Sequence, residues 1–352
     1  MSTSPVEPGY HQPGLTPPIS EAVSEAAPGE ASPLLATAAE TAAASRGRAT
    51  QDTEDDASRH AASASIATKL RPVRELGPTG RPRPKLRDPK PLTEHGPAVV
   101  LALCNQKGGV GKTTTTINLG AALTEFGRRV LLVDFDPQGA LSVGLGVNPM
   151  ELERTIYNSL MERSVSADDV LIKTSAGMDL LPSNIDLSAA EVQLVGEVAR
   201  EQTLQRVLAP LINDYDVVLI DCQPSLGLLT INALTAADGV IIPLECEYFS
   251  LRGVALLIQT IEKVSERLNP QLQLEGILAT MYDGRTLHGR EVLARVVQAF
   301  GEKVFHTVIN RTVRFPETTV AGEPITSYAS SSAGAAAYRD LAREVVARCL
   351  AE

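Results

Sequence analysis

The sequence predicts an α/β fold with a mostly parallel sheet and helices on both faces, preceded by a segment with no core of its own. Three observations carry this. From about residue 98, short β-branched apolar runs alternate with amphipathic stretches of helix length. The runs are apolar at nearly every position, as strands covered on both faces are. The first run ends in a glycine-rich loop that opens directly into a helix-length stretch, the layout of a strand-loop-helix unit in such a sheet.

In chain order, "AVVLALCN" (98–105), "RRVLLVDFD" (128–136), "DVVLIDC" (216–222), "DGVIIPLE" (238–245), "LEGILATMYD" (274–283) and "KVFHTVIN" (303–310) read as strands. The stretches 112–127, 226–237, 251–268 and 289–300 read as helices, and 334–350 reads as a helix that closes the domain. In a sheet of this kind, ligands sit at the carboxyl ends of the strands.

Residues 1–92 are expected to be a disordered Ala/Pro/Ser-rich tail, since they lack the apolar periodicity needed to offset chain entropy. Residues 93–352 form the folded domain. Within the tail, residues 1–66 carry three Arg against nine acids, whereas 69–90 carries eight Lys/Arg against Glu75 and Asp88. The two halves cancel, so the net charge of −10 belongs to the folded part. The basic stretch 69–90 reads either as a solvated linker of polyproline character or as an arm that touches nucleic acid or a partner. No apolar run reaches membrane-spanning length and the start lacks a signal-peptide plan, so a cytoplasmic protein is expected. Cys104, Cys222, Cys246 and Cys349 have no C-x-x-C spacing and read as reduced thiols.

The chemistry concentrates in "CNQKGGVGKTTTTIN" (104–118). Gly108, Gly109 and Gly111 let backbone N–H groups curl around phosphate oxygens. The helix from Lys112 adds its dipole, Lys112 a point charge, and Thr113 a hydroxyl for Mg²⁺. The first glycine of the usual G-x-x-x-x-G-K-[ST] pattern is Gln106 here, and a second lysine, Lys107, stands beside the glycines. Downstream, an apolar strand ends in Asp221, a carboxylate suited to Mg²⁺ directly or through water. Asp134 and Asp136 stand two apart at another strand end, on one side of an extended chain; a helix cap or turn is the alternative role for either.

"KGGVGKTT" resembles the deviant Walker A motif of the ParA/MinD group of P-loop ATPases, and "VLLVDFDPQGALS", "YDVVLIDCQPSLGLLTINALTAADGVIIP", "CEYFSLRG", "INRTVRFPE" and "GEPITSYASSSAGAAAYRDLARE" extend the likeness over roughly 100–350. Within the group it is most similar to chromosomal ParA (Soj)-like proteins. The resemblance implies a P-loop NTPase fold and a Mg²⁺-ATP-dependent switch. Nucleotide would be held by Lys107, Gly108, Gly109, Val110, Gly111, Lys112, Thr113 and Thr114, with Asn310 and Arg311 at the base edge. Lys107, Lys112 and Asp136 would be catalytic: Lys107 by reaching the phosphates of a neighbouring subunit, Asp136 by orienting the attacking water. Thr113, Asp134 and Asp221 would serve the metal. Arg285 and Arg314 would contact DNA backbone, unless they are ordinary surface arginines or form internal salt bridges.

The implied function is an ATP-dependent homodimer that binds DNA without sequence preference in chromosome partitioning, nucleoid-associated and paired with a ParB-like protein. A nucleotide-gated adaptor for a condensin-type complex is the alternative. The closing helix alternates charges and ends acidic, unlike a basic membrane anchor. The sequence departs from the family at Gln223, where relatives usually carry Pro, and at Asn310 and Phe315-Pro316.

Overall fold

Five of the apolar runs lie side by side as β1 (Val99–Leu103), β2 (Val130–Phe135), β5 (Val217–Cys222), β6 (Gly239–Glu245) and β7 (Gln273–Thr280) in a computed structural model that describes residues 76–247 and 250–350. The expected tail up to residue 75 lies outside the described residues. Two short strands that the sequence did not announce, β3 (Ile172–Lys173) and β4 (Asp179–Leu181), complete a sheet of order β3-β4-β2-β5-β1-β6-β7. Every pairing is parallel except β3 with β4.

The helices are α1 (Lys112–Glu125), α2 (Ala140–Gly144), α3 (Ile156–Met161), α4 (Leu187–Gln193), α5 (Thr203–Leu208), α6 (Leu228–Ala236), α7 (Ser250–Arg267), α8 (Leu287–Phe300), α9 (Arg314–Ala321), α10 (Ile325–Tyr328) and α11 (Ala333–Cys349). Alternate strand residues enter different cores, as pleated strands require. Val100 and Ala102 join the core built with α6, α7 and α8, whereas Leu101 and Leu103 join the one built with α1 and α11. This two-sided burial is why β2, β5 and β6 are buried at every position. Close approach of α1 to the sheet needs Gly120, where a Cβ would fall 2.8 Å from Met178 Sδ and 2.9 Å from Leu132 Cδ2.

Two expectations change. The run 303–310 does not form a strand: its backbone meets β7 near its two ends, through the isolated bridges Ile277–Val304 and Tyr282–Asn310 and the Ile309 N–H donated to the Ala279 carbonyl (2.8 Å). The buried carboxylate of Glu344 on α11 accepts the backbone N–H groups of His306 (2.8 Å) and Thr307 (2.6 Å), drawing the middle of the segment off the β7 ladder. The stretch 76–92, expected as part of a free tail, instead forms a strap against the domain. Arg81 donates to the carbonyls of Gly301 (3.1 Å) and Val304 (2.5 Å), Asp88 is clasped by Arg343 (2.7 Å), and the Lys90 carbonyl accepts from Arg128 (2.7 Å). Composition hides this because the anchors are isolated polar contacts to distant residues and not a run of apolar ones.

Helix α11 packs on the domain, with Leu341, Ala342, Val345 and Val346 buried. Among the described residues, no helix is long and apolar enough to cross a membrane.

Candidate nucleotide site

The sheet order places β5 between β2 and β1, so the loop after β1 and the carboxylates at the ends of β2 and β5 converge at one edge. Asp134 and Asp221 are direct register partners. The loop residues Gly108 and Gly109 are exposed, and a Cβ built on either meets nothing within 4 Å. Gly109 and Gly111 take φ of 74° and 84°, the left-handed region that favours glycine. Gly111 caps α1 without any side-chain bond, and the first turn of α1 holds no acid, which leaves its N–H groups and dipole directed at the loop. The loop is fixed from behind, where the Thr280 hydroxyl at the end of β7 donates to the Val110 carbonyl (2.8 Å).

Lys112 is buried, its Nζ 3.4 Å from the Lys107 carbonyl inside the loop it would neutralise. Thr113 Oγ1 donates to Asp221 Oδ2 (2.6 Å). Asp221 is fully buried, and its other oxygen, Oδ1, has no hydrogen-bond partner. A buried carboxylate oxygen left without a donor is costly unless a cation or water meets it. Burial, and then repulsion from Asp134, push the Asp221 carboxyl up to about 8 against the pull of Thr113 and Lys112. Asp134 is raised to about 7 by burial, although Ser142 opposes this by donating its N–H (2.8 Å) and hydroxyl (2.7 Å) to Oδ2. Asp134 therefore also pins α2. Asp136 is half-buried at the mouth and accepts from the Gln138 N–H (3.0 Å), holding the turn after β2.

The residues expected at the base edge also converge. Asn310 and Arg311 line a cavity of about 420 Å³ with Gly111, Thr114, Phe315 and Tyr338, next to the loop. Lys107 is engaged within its own subunit, since Nζ contacts Glu245 Oε2 (2.8 Å) and Glu247 Oε2 (2.5 Å), and these acids raise its pKa. Arg311 reaches the other oxygen of Glu245 (3.2 Å). Gln223 ties the loop after β5 to α4 by donating to Glu191 (2.8 Å). Sequence reasoning missed the roles of Glu191, Glu245 and Glu247. Only the Gln223 departure pointed toward any of them.

Arg285 and Arg314 stand apart from this pocket. Arg285 is exposed and forms a two-point pair with Asp283, whose carboxyl it holds down at about 2, and Arg314 pairs with Glu317 (3.2 Å). Among the described residues no group of three or more His, Cys, Asp and Glu is arranged around a metal position. A divalent ion here would depend on phosphate oxygens and water for most of its ligands, the usual manner of Mg²⁺.

The model for an AAA domain matches residues 98–274. The sporulation initiation inhibitor protein Soj of Bacillus subtilis is 47% identical over 248 residues, covering 70% of this chain and 98% of the relative. The chain belongs to the ParA/MinD family of P-loop ATPases. An uncharacterized protein of Mycobacterium tuberculosis is 68% identical over 274 residues, 78% of this chain and 86% of that protein. Among solved structures, cobyrinic acid a,c-diamide synthase of Mycobacterium smegmatis with bound ATP analog and magnesium is 48% identical. It covers 70% of this chain and 93% of its own, with a TM-score of 0.62. The matched family model spans the loop, the three aspartates and the ends of β1, β2, β5 and β6.

Proposed function

We propose that the chain is a Mg²⁺-ATP hydrolase that dimerises with triphosphate bound and then holds DNA through its phosphates, in chromosome partitioning. The observation that carries this reading is the unpartnered, buried Asp221 Oδ1 beside the Thr113 hydroxyl at the mouth of an uncapped α1. Thr113 and Asp221 are the residues that would hold Mg²⁺, which when bound supplies charge to the phosphate oxygens. The glycines cradle the phosphates with backbone N–H groups, Lys112 supplies a fixed cation, and Asp136 orients water at the mouth. Asn310 and Arg311 hold the base edge. Lys107 leaves Glu245 and Glu247 to complete the site of a second copy. Identity of 46–49% to relatives named chromosome-partitioning ATPase Soj and chromosome partitioning protein ParA supports the partitioning role, and a ParB-like protein is the partner that this role implies.

One observation favours the second reading, a nucleotide-gated adaptor for a condensin-type complex: both arginines expected on DNA are paired with acids of their own chain. The diamide synthase named for the similar structure is a third activity.

The test measures ATP turnover with and without Mg²⁺, and retention on unrelated duplexes with ADP or a slowly hydrolysed ATP analogue. Mg²⁺-dependent turnover and analogue-dependent retention are expected. Turnover without retention in either state overturns the DNA role in favour of the adaptor, and no turnover overturns the enzyme.

A further inference from the structure

The strap at 76–92 carries cations that the nucleotide site does not use. It is pinned at both ends, by Arg81 on the loop after α8 and by the Lys90 carbonyl on Arg128. Midway, Arg343 clasps Asp88 while its guanidinium lies 5.3 Å over the Phe126 ring. Asp88 is the one acid in 76–92, so this clasp occupies the strap's negative charge. Between the pins, Arg83, Lys85, Arg87 and Lys90 are exposed, and none of these four described residues forms an ion pair. Pro82, Pro84 and Pro89 keep the backbone extended and remove donors that could close a turn. In an extended chain, alternate positions such as 83, 85 and 87 recur about every 6–7 Å. That is comparable to the distance between neighbouring phosphates measured along a nucleic-acid backbone, which is about twice the axial rise of roughly 3.4 Å per nucleotide.

The geometry points to the strap as a second phosphate-binding surface of this protein, one that grips the backbone of a nucleic acid through Arg83, Lys85 and Arg87. The segment lies outside the matched family model, which begins at residue 98. A fixed strip of this kind resolves the electrostatic difficulty of a chain with net charge −10, because local cations held in register act at short range while more distant acids are screened. An anionic membrane is the poorer fit. Leu86 lines the cavity of about 740 Å³ under the strap, and polar contacts hold the strap down, leaving no apolar stripe to enter lipid. The inference deepens the DNA-holding reading above and rests on it only for the choice of nucleic acid over other polyanions.

The test uses the full chain and the triple variant Arg83→Gln, Lys85→Gln, Arg87→Gln. Retention on unrelated duplexes is measured across a salt series, once with ADP and once with the ATP analogue, with vesicles containing anionic lipid in parallel. The variant should bind at least tenfold more weakly at about 0.1 M salt and show a log–log salt slope shallower by about 2–3 units per protomer, in both nucleotide states. The charge-keeping variant Arg83→Lys, Arg87→Lys should retain the wild-type slope, which separates charge from shape. Unchanged slope in the triple variant, with an unchanged thermal midpoint, overturns the strap's role even if the analogue still promotes retention. A lost slope with no analogue dependence upholds the strap and overturns the switch. Wild-type retention on vesicles alone overturns the nucleic-acid assignment in favour of a membrane, and no retention on either overturns both.

Discussion

Lys107 Nζ lies 2.8 Å from Glu245 Oε2, so the lysine that would complete a neighbour's site is held by an acid at the end of β6 in its own subunit. Glu247 holds it from a second side. Removing the acids should release the lysine. The double variant Glu245→Gln, Glu247→Gln should dimerise about two- to thirtyfold more tightly with the ATP analogue, since two partly exposed pairs at about 0.2–1 kcal/mol each release about 0.4–2 kcal/mol. Lys107→Ala should still bind nucleotide and fail to dimerise. Sedimentation velocity with the analogue reads both, and a Lys107→Ala dimer as tight as wild type would contradict the cross-subunit role.

Lys112 is buried at the loop, its Nζ 3.4 Å from the Lys107 carbonyl. Lys112→Ala should weaken triphosphate binding by about 100-fold or more, as a charge-assisted contact in a desolvated site is lost. Titration of a fluorescent nucleotide measures it, with the thermal midpoint as the check on folding.

Protonation of the paired carboxylates gives a pH signature. A carboxyl whose pKa is raised on folding holds more protons folded than unfolded, so stability falls as pH rises from near 4 through the folded values of about 7 for Asp134 and about 8 for Asp221. Metal-free protein should therefore lose several kcal/mol of stability, on the order of 5, between pH 5 and 8. Mg²⁺ with nucleotide should offset the loss increasingly as pH rises, because it meets the ionised form. Asp221→Asn should flatten the metal-free curve. Denaturant unfolding at several pH values checks this, and a stability that rises from pH 5 to 8 without metal would refute it.

Arg81 anchors the strap through two carbonyls. Arg81→Ala should cost about 1–2 kcal/mol and make the segment 82–90 susceptible to trypsin while the sheet domain stays intact. Limited proteolysis with mass analysis identifies the cut.

The central sheet was legible because β1, β2, β5, β6 and β7 are apolar runs closed by turn residues, and the phosphate loop because its glycines lie between a strand and a helix. What stayed hidden depends on partners far along the chain. Strands β3 and β4 are two and three residues long, too short for any periodicity. The run 303–310 looks like a strand until Glu344 takes its N–H groups. The strap reads as solvated linker until Arg343, Arg128 and the carbonyls after α8 claim it. At the site, Lys107 was identified by its odd position in the loop, but its acidic partners lie 138 and 140 residues away on a different strand end.

Asn310 borders both the cavity beside the phosphate loop and the cavity beneath the strap. One residue thus forms part of the wall between a place for a nucleotide base and the underside of an N-terminal segment. Whatever free energy couples the two must be the same in both directions. If a seated base alters how firmly the strap lies down, then an occupied strap alters nucleotide affinity by an equal factor, and each ligand would report on the other without touching it.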